Sequence, residues 1–252
     1  MWQYRGIMAT AQSGSLGLHR DVLDRLGASI VAGDPAPGGV LRIEQLEVRY
    51  AVSRSVVREA IRVLESMGLV ESRRRVGVTV RPRDAWNVFD PRIIRWRLDG
   101  EDREAQLLSL SQLRQGVEPV AAGLAARHAT PEQCGALTGA VMQMSVQAKA
   151  GDLEAYLEAD VAFHRTLLQA SGNEMLAALT TVVAEVLAGR THHDLMPAEP
   201  NPVAIRLHGD VAAAVQGGDA DAAASAMRAI IDEAASAIGA VSAALPAPGD
   251  TP

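Results

Sequence analysis

The chain has one cysteine, Cys134, in 252 residues. It therefore cannot close a disulfide within itself, and a single thiol cannot build a cysteine-rich zinc module. Nor does any apolar run reach the roughly 18 residues that a membrane-spanning helix needs. The N-terminal stretch MWQYRGIMATAQSGS lacks the apolar middle of a secretory signal. The expected compartment is the cytoplasm, with no membrane partner. What the chain does have is 48 % hydrophobic residues, enough length for two domains and a sizeable core in each.

Charge is divided unevenly along that length. Residues 1–83 carry 13 basic and 8 acidic side chains, a balance of +5, whereas 84–252 carry 11 and 22, a balance of −11. Two readings are open at this level: a first third that meets a polyanion, or an uneven but solvated surface.

The local patterns separate them. Leu18, Val22, Leu26 and Ile30 recur every four residues until Gly33-Asp34-Pro35, which predicts a helix over 18–31 stopped by breaker residues. After a Pro/Gly loop, Ile43, Leu46 and Tyr50 mark a short second helix, and Ala51-Val52 turns the chain into VSRSVVREAIRVLESMGLVE. There Val57, Ile61 and Leu64 form one stripe, while Arg54, Arg58 and Arg62 repeat at i, i+4, i+8 on another face. Ser53 suits an N-cap whose hydroxyl accepts from the next turn, and Gly68 suits the C-terminal stop. Two short β-prone runs, 69–73 and 76–80, follow with the basic tip Arg73-Arg74-Arg75, and Pro82 closes them.

Helix, helix-turn-helix and hairpin in that order place the second helix of the pair in a DNA major groove. Arg54 and Arg58 then reach guanine edges, and the hydroxyls of Ser53 and Ser55 suit phosphate oxygens. Arg62, one turn farther back, suits a phosphate or an ion pair with Glu59 or Glu65. The alternative for the helix alone is an arginine-studded solvent face.

The segment VSRSVVREAIRVLESMGLVESRRRVGVTV resembles the winged-helix domain of GntR-type transcription regulators over about 18–82. Its Ser-Arg, Val-Arg-Glu-Ala and Gly-Leu-Val fall at the family spacing. The resemblance implies DNA contacts at Ser53, Arg54, Ser55, Arg58, Arg74 and Gly77. One departure stands out: the family wing usually has Gly-Arg-Gly where this chain has Arg75-Val76-Gly77, so a side chain occupies a position that favours glycine.

Residues 84–252 read as helix, with breaks at Asp99-Gly100, Thr130-Pro131, Gly151-Asp152, Ser171-Gly172-Asn173, 197–202 and Gly217-Gly218-Asp219. Six or seven helices are expected. Trp86, Phe89 and Trp96 are expected to tie the preceding linker onto this bundle. Asp160 and His164 share a helix face at i, i+4 beside Val161, Phe163 and Leu167. Such a pair is either an in-helix hydrogen bond or part of a metal site. His208 is the other inward candidate. His192 and His193 fall near a loop, and His19 and His128 have no acidic partner in register.

Here the resemblance extends to the FCD domain of the FadR branch, through LSQLRQGVEPVAAGLAARHAT, EADVAFHRTLLQASGN and the stretch around His208. It implies a divalent metal, often zinc or nickel, held by Asp160, His164, His208 and a fourth ligand, with a small carboxylate effector beside it. The fourth place holds Ile230. Asp, His and His also suit manganese. Arg114, in the LRQGVEP pattern, is the expected cation for the effector, unless it pairs with Glu118 at i, i+4; Arg190 is the second candidate, and Asn173 completes the expected effector contacts. The linker AWNVFDPRIIRWRL is similar to that of regulators sensing sugar acids such as galactonate.

The expected organisation is mainly α: a flexible N-terminus (1–17), a winged helix-turn-helix domain (18–82), a linker with a helix (83–100), an all-helical effector-binding and dimerisation domain (101–245) and a disordered tail (246–252). The expected function is a homodimeric DNA-binding transcription regulator, a repressor released from double-stranded operator DNA by a small organic acid, and not an enzyme. Two rivals are a metal-dependent hydrolase using Asp160, His164 and His208, and a DNA-binding protein without an effector. The first lacks an accompanying nucleophile or general base and leaves the basic front domain without a use.

Overall fold

The computed structural model describes residues 5–192 and 201–244, with side chains for 17–192 and 201–236. Two compact units divide the chain, Met1–Arg103 and Glu104–Pro252.

In the first unit, α1 (Arg5–Val31) begins well before Leu18, so the segment ahead of Leu18 is helical from Arg5. Val22, Leu23, Leu26 and Ile30 are buried, whereas Leu18 is exposed. A two-residue strand β1 (Val40–Leu41) follows, then α2 (Ile43–Tyr50) and α3 (Arg54–Ser66). Left-handed backbone at Ala51 (φ 53°) makes the sharp turn between the two helices. Strands β2 (Val70–Arg73) and β3 (Gly77–Val80) form a hairpin with Val70 opposite Val80 and Arg73 opposite Gly77. Strand β1 pairs antiparallel on the far side of β3, giving the order β1-β3-β2. The Pro/Gly loop concealed this strand, since two residues carry no alternation.

One core unites these elements: α1, Leu46 and Tyr50 of α2, and Val57, Ala60, Ile61 and Leu64 of α3 pack with Leu69, Val70, Val78 and Val80. Trp86 and Trp96 belong to this core rather than to the helical bundle, and Phe89 is exposed. The reason lies on α1. Gly27 on α1 has no side chain, and the Trp96 ring fills the space; a Cβ there would lie 2.2 Å from the ring. Trp86 Nε1 donates to Arg81 O at 3.2 Å. Helix α4 (Pro91–Leu98), capped by Asp90 and opened by Pro91, thus packs on α1.

The second unit is all helical among the described residues: α5 (Arg103–His128), α6 (Pro131–Ala150), α7 (Leu153–Ala170), the one-turn α8 (Glu174–Ala177), α9 (Thr180–His192), α10 (Pro202–Gly217) and α11 (Ala220–Ala244). That is seven, within the expected six or seven. Thr130 and Gln133 close a reciprocal capping box with Pro131 at the first helical position. Asp219 caps α11 by accepting from Ala222 N at 2.9 Å. These stops let α7, α10 and α11 turn their apolar faces inward, where Phe163, Leu167, Val211, Met227 and Ile230 share a core with Leu137 and Met144 of α6.

Candidate functional sites: a recognition face and a buried polar pocket

Arg54 and Arg58 lie exposed on the first two turns of α3, opposite the buried stripe of Val57, Ile61 and Leu64. Ser53 is the N-cap residue by position, but its hydroxyl contacts Ser55 Oγ at 2.9 Å instead of a backbone N–H. Arg54 pairs with Glu44 of α2, Arg62 pairs with Glu59, and Arg58 forms no ion pair with a described residue. Arg74 sits exposed on the hairpin tip beside Arg75, whose φ of 66° is left-handed. The side chain in a glycine-favouring position is therefore accommodated by strained backbone, which costs about 1–2 kcal/mol. Gly77 has φ 115° and comes close to the backbone of β1, so it suits glycine for both reasons.

In the second unit, five helices converge on one pocket lined by Arg114, Tyr156, Asp160, His164, Arg190, His208, Ile230 and Glu233, among others. The cavity is small, about 30 Å³. Three donor atoms meet in it. Asp160 Oδ1 lies 3.3 Å from His164 Nε2 and 3.2 Å from His208 Nε2, and the two Nε2 atoms are 3.4 Å apart. All three residues are buried, and Asp160 Oδ1 has no well-aligned hydrogen-bond donor. Phe163 packs edge-to-face against both imidazoles.

Behind the triangle stands a charged second layer. His208 Nδ1 is 2.7 Å from Ala204 O, and His164 Nδ1 is 2.8 Å from Glu118 Oε2. Arg114 donates to Glu118 through Nε at 2.6 Å and Nη2 at 3.3 Å. Burial works against every charge here. For Glu118 it is outweighed by Arg114 and His164, which bring the carboxyl down to about 2. For His164 it is outweighed by Glu118 and Asp160, which raise the imidazole to about 9. Asp160 is likewise held well below the usual carboxylate range by the two imidazoles, against its burial.

The pocket sorts the expected effector contacts. Arg114 faces inward and lines the pocket, and the Nε and Nη2 of its guanidinium form the expected i, i+4 pair with Glu118. Arg190 also faces inward, its Nε has no partner, and burial followed by repulsion from Arg114 lowers its pKa. Asn173 is corrected: its Oδ1 caps α8 by accepting from Met175 N and Leu176 N, and its exposed side chain does not line the pocket. His192 is exposed beside Glu154, and His193 lies outside the described residues.

Several lining residues went unread in the sequence. Tyr156 continues the Asp160 and His164 spacing one turn back on α7, a signal that was available. Glu233 follows Ile230 by three residues on the same face, and Asn201 donates to Glu233 Oε1 at 2.8 Å. Glu118 was read only as a partner for Arg114, although it also touches His164.

Comparison with known proteins matches two family profiles: "Bacterial regulatory proteins, gntR family" over residues 18–80 and "FCD domain" over residues 109–233. The galactonate operon transcriptional repressor of Escherichia coli (strain K12) is 32 % identical over 200 residues, 79 % of this chain and 86 % of that protein. This chain belongs to the GntR family, with a C-terminal FCD domain. The family's members are transcription regulators rather than enzymes. A probable D-xylose utilization operon transcriptional repressor of Paenarthrobacter nicotinovorans is 28 % identical over 62 % of this chain and 60 % of its own length. The solved structure of E. coli McbR/YncC shares the fold, with a TM-score of 0.53 and 18 % identity over 89 % of this chain and 98 % of that one. GntR regulators bind operator DNA and small-molecule effectors, and no helix among the described residues is long and apolar enough to cross a membrane.

Proposed function

We propose that this GntR-family regulator is a homodimeric repressor that holds double-stranded operator DNA through residues 18–82 and releases it when a small organic acid, with a sugar acid such as galactonate the first choice, enters the pocket of residues 101–245. Residues 83–100 link the two parts. The observation that carries the effector half is the donor triangle beside Arg190. Ligand atoms on a tetrahedral ion with bonds of about 2.0–2.1 Å stand about 3.3–3.4 Å apart, and the three edges here are 3.2, 3.3 and 3.4 Å. Asp160, His164 and His208 therefore fit zinc, and their donor set also suits nickel or manganese. A divalent ion held there supplies a Lewis-acid position to which a carboxylate or hydroxyl oxygen can bind.

The chain's own residues prepare that position. Once His164 has given up one proton, Glu118 beside Nδ1 favours the neutral tautomer that keeps its N–H there and leaves the Nε2 lone pair for an ion, and Ala204 O favours the same tautomer of His208. Ile230 supplies no fourth donor, so one position stays open to an effector. Arg190 is the cation that a carboxylate meets, since Arg114 is already engaged. Tyr156, whose phenol burial keeps neutral, and Glu233 offer hydrogen bonds to hydroxyl groups.

Arg190→Ala is expected to leave operator affinity within twofold while abolishing release by sugar acids, read by fluorescence anisotropy on a labelled operator with zinc present. Release of that variant at the parent's effector concentration removes Arg190 from the effector site. On the DNA side, Arg58→Ala is expected to weaken operator binding by about 1–3 kcal/mol and relax preference at one base pair. Arg74→Ala should weaken all duplexes alike and flatten the salt dependence. An Arg58→Ala protein that binds its operator like the parent overturns that assignment.

A further inference from the structure

The two arginines at the start of α3 are not equivalent. Arg54 Nη1 lies 2.9 Å from Glu44 Oε1 and 3.7 Å from Glu47 Oε2, so it is held to α2, whereas Arg58 is held by no described carboxylate. Glu44 and Glu47 sit one turn apart on α2, and both point at the head of the recognition helix. The Arg54 and Glu44 side chains are 50 % and 66 % exposed. A pair that open to water adds little to the fold. Its consequence falls instead on what Arg54 presents at the surface.

A guanidinium offers five N–H donors in a planar fork. With Nη1 directed at Glu44, the edge formed by Nε and Nη2 has no partner among the described residues, and two parallel donors on one edge match guanine O6 and N7. The carboxylate also opposes phosphate. Glu44 lies in the first turn of α2, where the backbone and then Arg54 hold its pKa below the usual range, so it keeps its charge wherever DNA is bound. A duplex without a guanine in reach meets an arginine already neutralised and an anion beside it.

We infer that Glu44, backed by Glu47, is a positioning residue that sets the base selectivity of the recognition helix: it fixes Arg54 with its Nε/Nη2 edge outward and withholds that arginine from phosphate. This rests on the reading of Arg54 as a base contact, and the test separates the two. The full-length parent, Glu44→Gln, Arg54→Ala and the double variant are titrated against an operator duplex selected by the parent from a random pool, and against a scrambled duplex. Glu44→Gln is expected to bind the scrambled duplex about 3–10-fold more tightly at about 0.1 M salt, with a salt slope steeper by about one, because an arginine charge is freed for phosphate. Operator affinity stays about the same, so the selectivity ratio falls by about 3–10-fold. In the Arg54→Ala background the same change moves the ratio less than about twofold. A ratio unchanged in Glu44→Gln, or an equal fall with Arg54 absent, overturns the positioning role. An Arg54→Ala protein with undiminished operator affinity overturns the base contact itself and the inference with it.

Discussion

Glu118→Gln is expected to be the most damaging single substitution in the second unit, lowering stability by about 3–5 kcal/mol at pH 7. Glu118 is fully buried and touches two cationic groups, Arg114 and His164. Glutamine keeps the shape and the acceptor oxygen but removes the charge. Arg114 cannot respond by losing its proton, so a buried guanidinium is left without its counter-ion. His164 can respond, and its pKa should fall from about 9 as the Glu118 charge disappears. Urea unfolding reads the loss as a lower midpoint at constant slope. Replacing both members, Arg114→Met with Glu118→Leu, should recover much of it, because the unpaired charge and not the lost contact does the harm. A Glu118→Gln protein within about 1 kcal/mol of the parent means that water reaches the pair and screens it.

Zinc and pH should act on the same pocket in opposite senses. His164 has a folded pKa of about 9 against an ordinary 6.5, so its protonation contributes stability that is fully present below pH 6.5. That contribution disappears as the pH rises through about 9, a loss of about 3 kcal/mol at most in the metal-free protein. Glu118, depressed to about 2 from 4.5, behaves conversely: its contribution is present above pH 4.5 and is lost on acidification toward 2. An ion at Asp160, His164 and His208 takes the place of the His164 proton, so zinc affinity should strengthen from pH 6.5 to 9. Zinc at about a thousandfold over its Kd should stabilise the fold by about 4 kcal/mol and abolish the alkaline decline. The checks are elemental analysis, zinc calorimetry with and without a sugar acid, and thermal unfolding across that pH range. No metal in the purified protein and no heat of zinc binding in either condition make the pocket a purely organic one.

The helix-turn-helix and hairpin of the first unit could be read element by element, because their information is periodic and local. The spacing of Val57, Ile61 and Leu64 against Arg54 and Arg58 separates a buried stripe from an exposed face within one helix, and Gly68 ends that helix wherever the rest of the chain lies. The same holds for Asp160 and His164, one turn apart on α7. Their i, i+4 spacing required a shared face before any packing was known.

What the sequence could not specify were contacts between elements distant along the chain. His208 comes within 3.2 Å of Asp160 only because α10 packs beside α7, and no local pattern encodes that approach. Whether Arg114 or Arg190 carries the available charge depended on which one Glu118 reaches. That is decided by rotamer and helix rotation, and it left Arg190 buried with an unpartnered Nε. Trp86 and Trp96 illustrate the same limit. Their size marked them as anchors, but Trp96 is anchored by Gly27, some seventy residues away on α1, where a missing side chain leaves room for its indole. Periodicity states which face of an element is turned inward, and only the assembled core determines what that face meets.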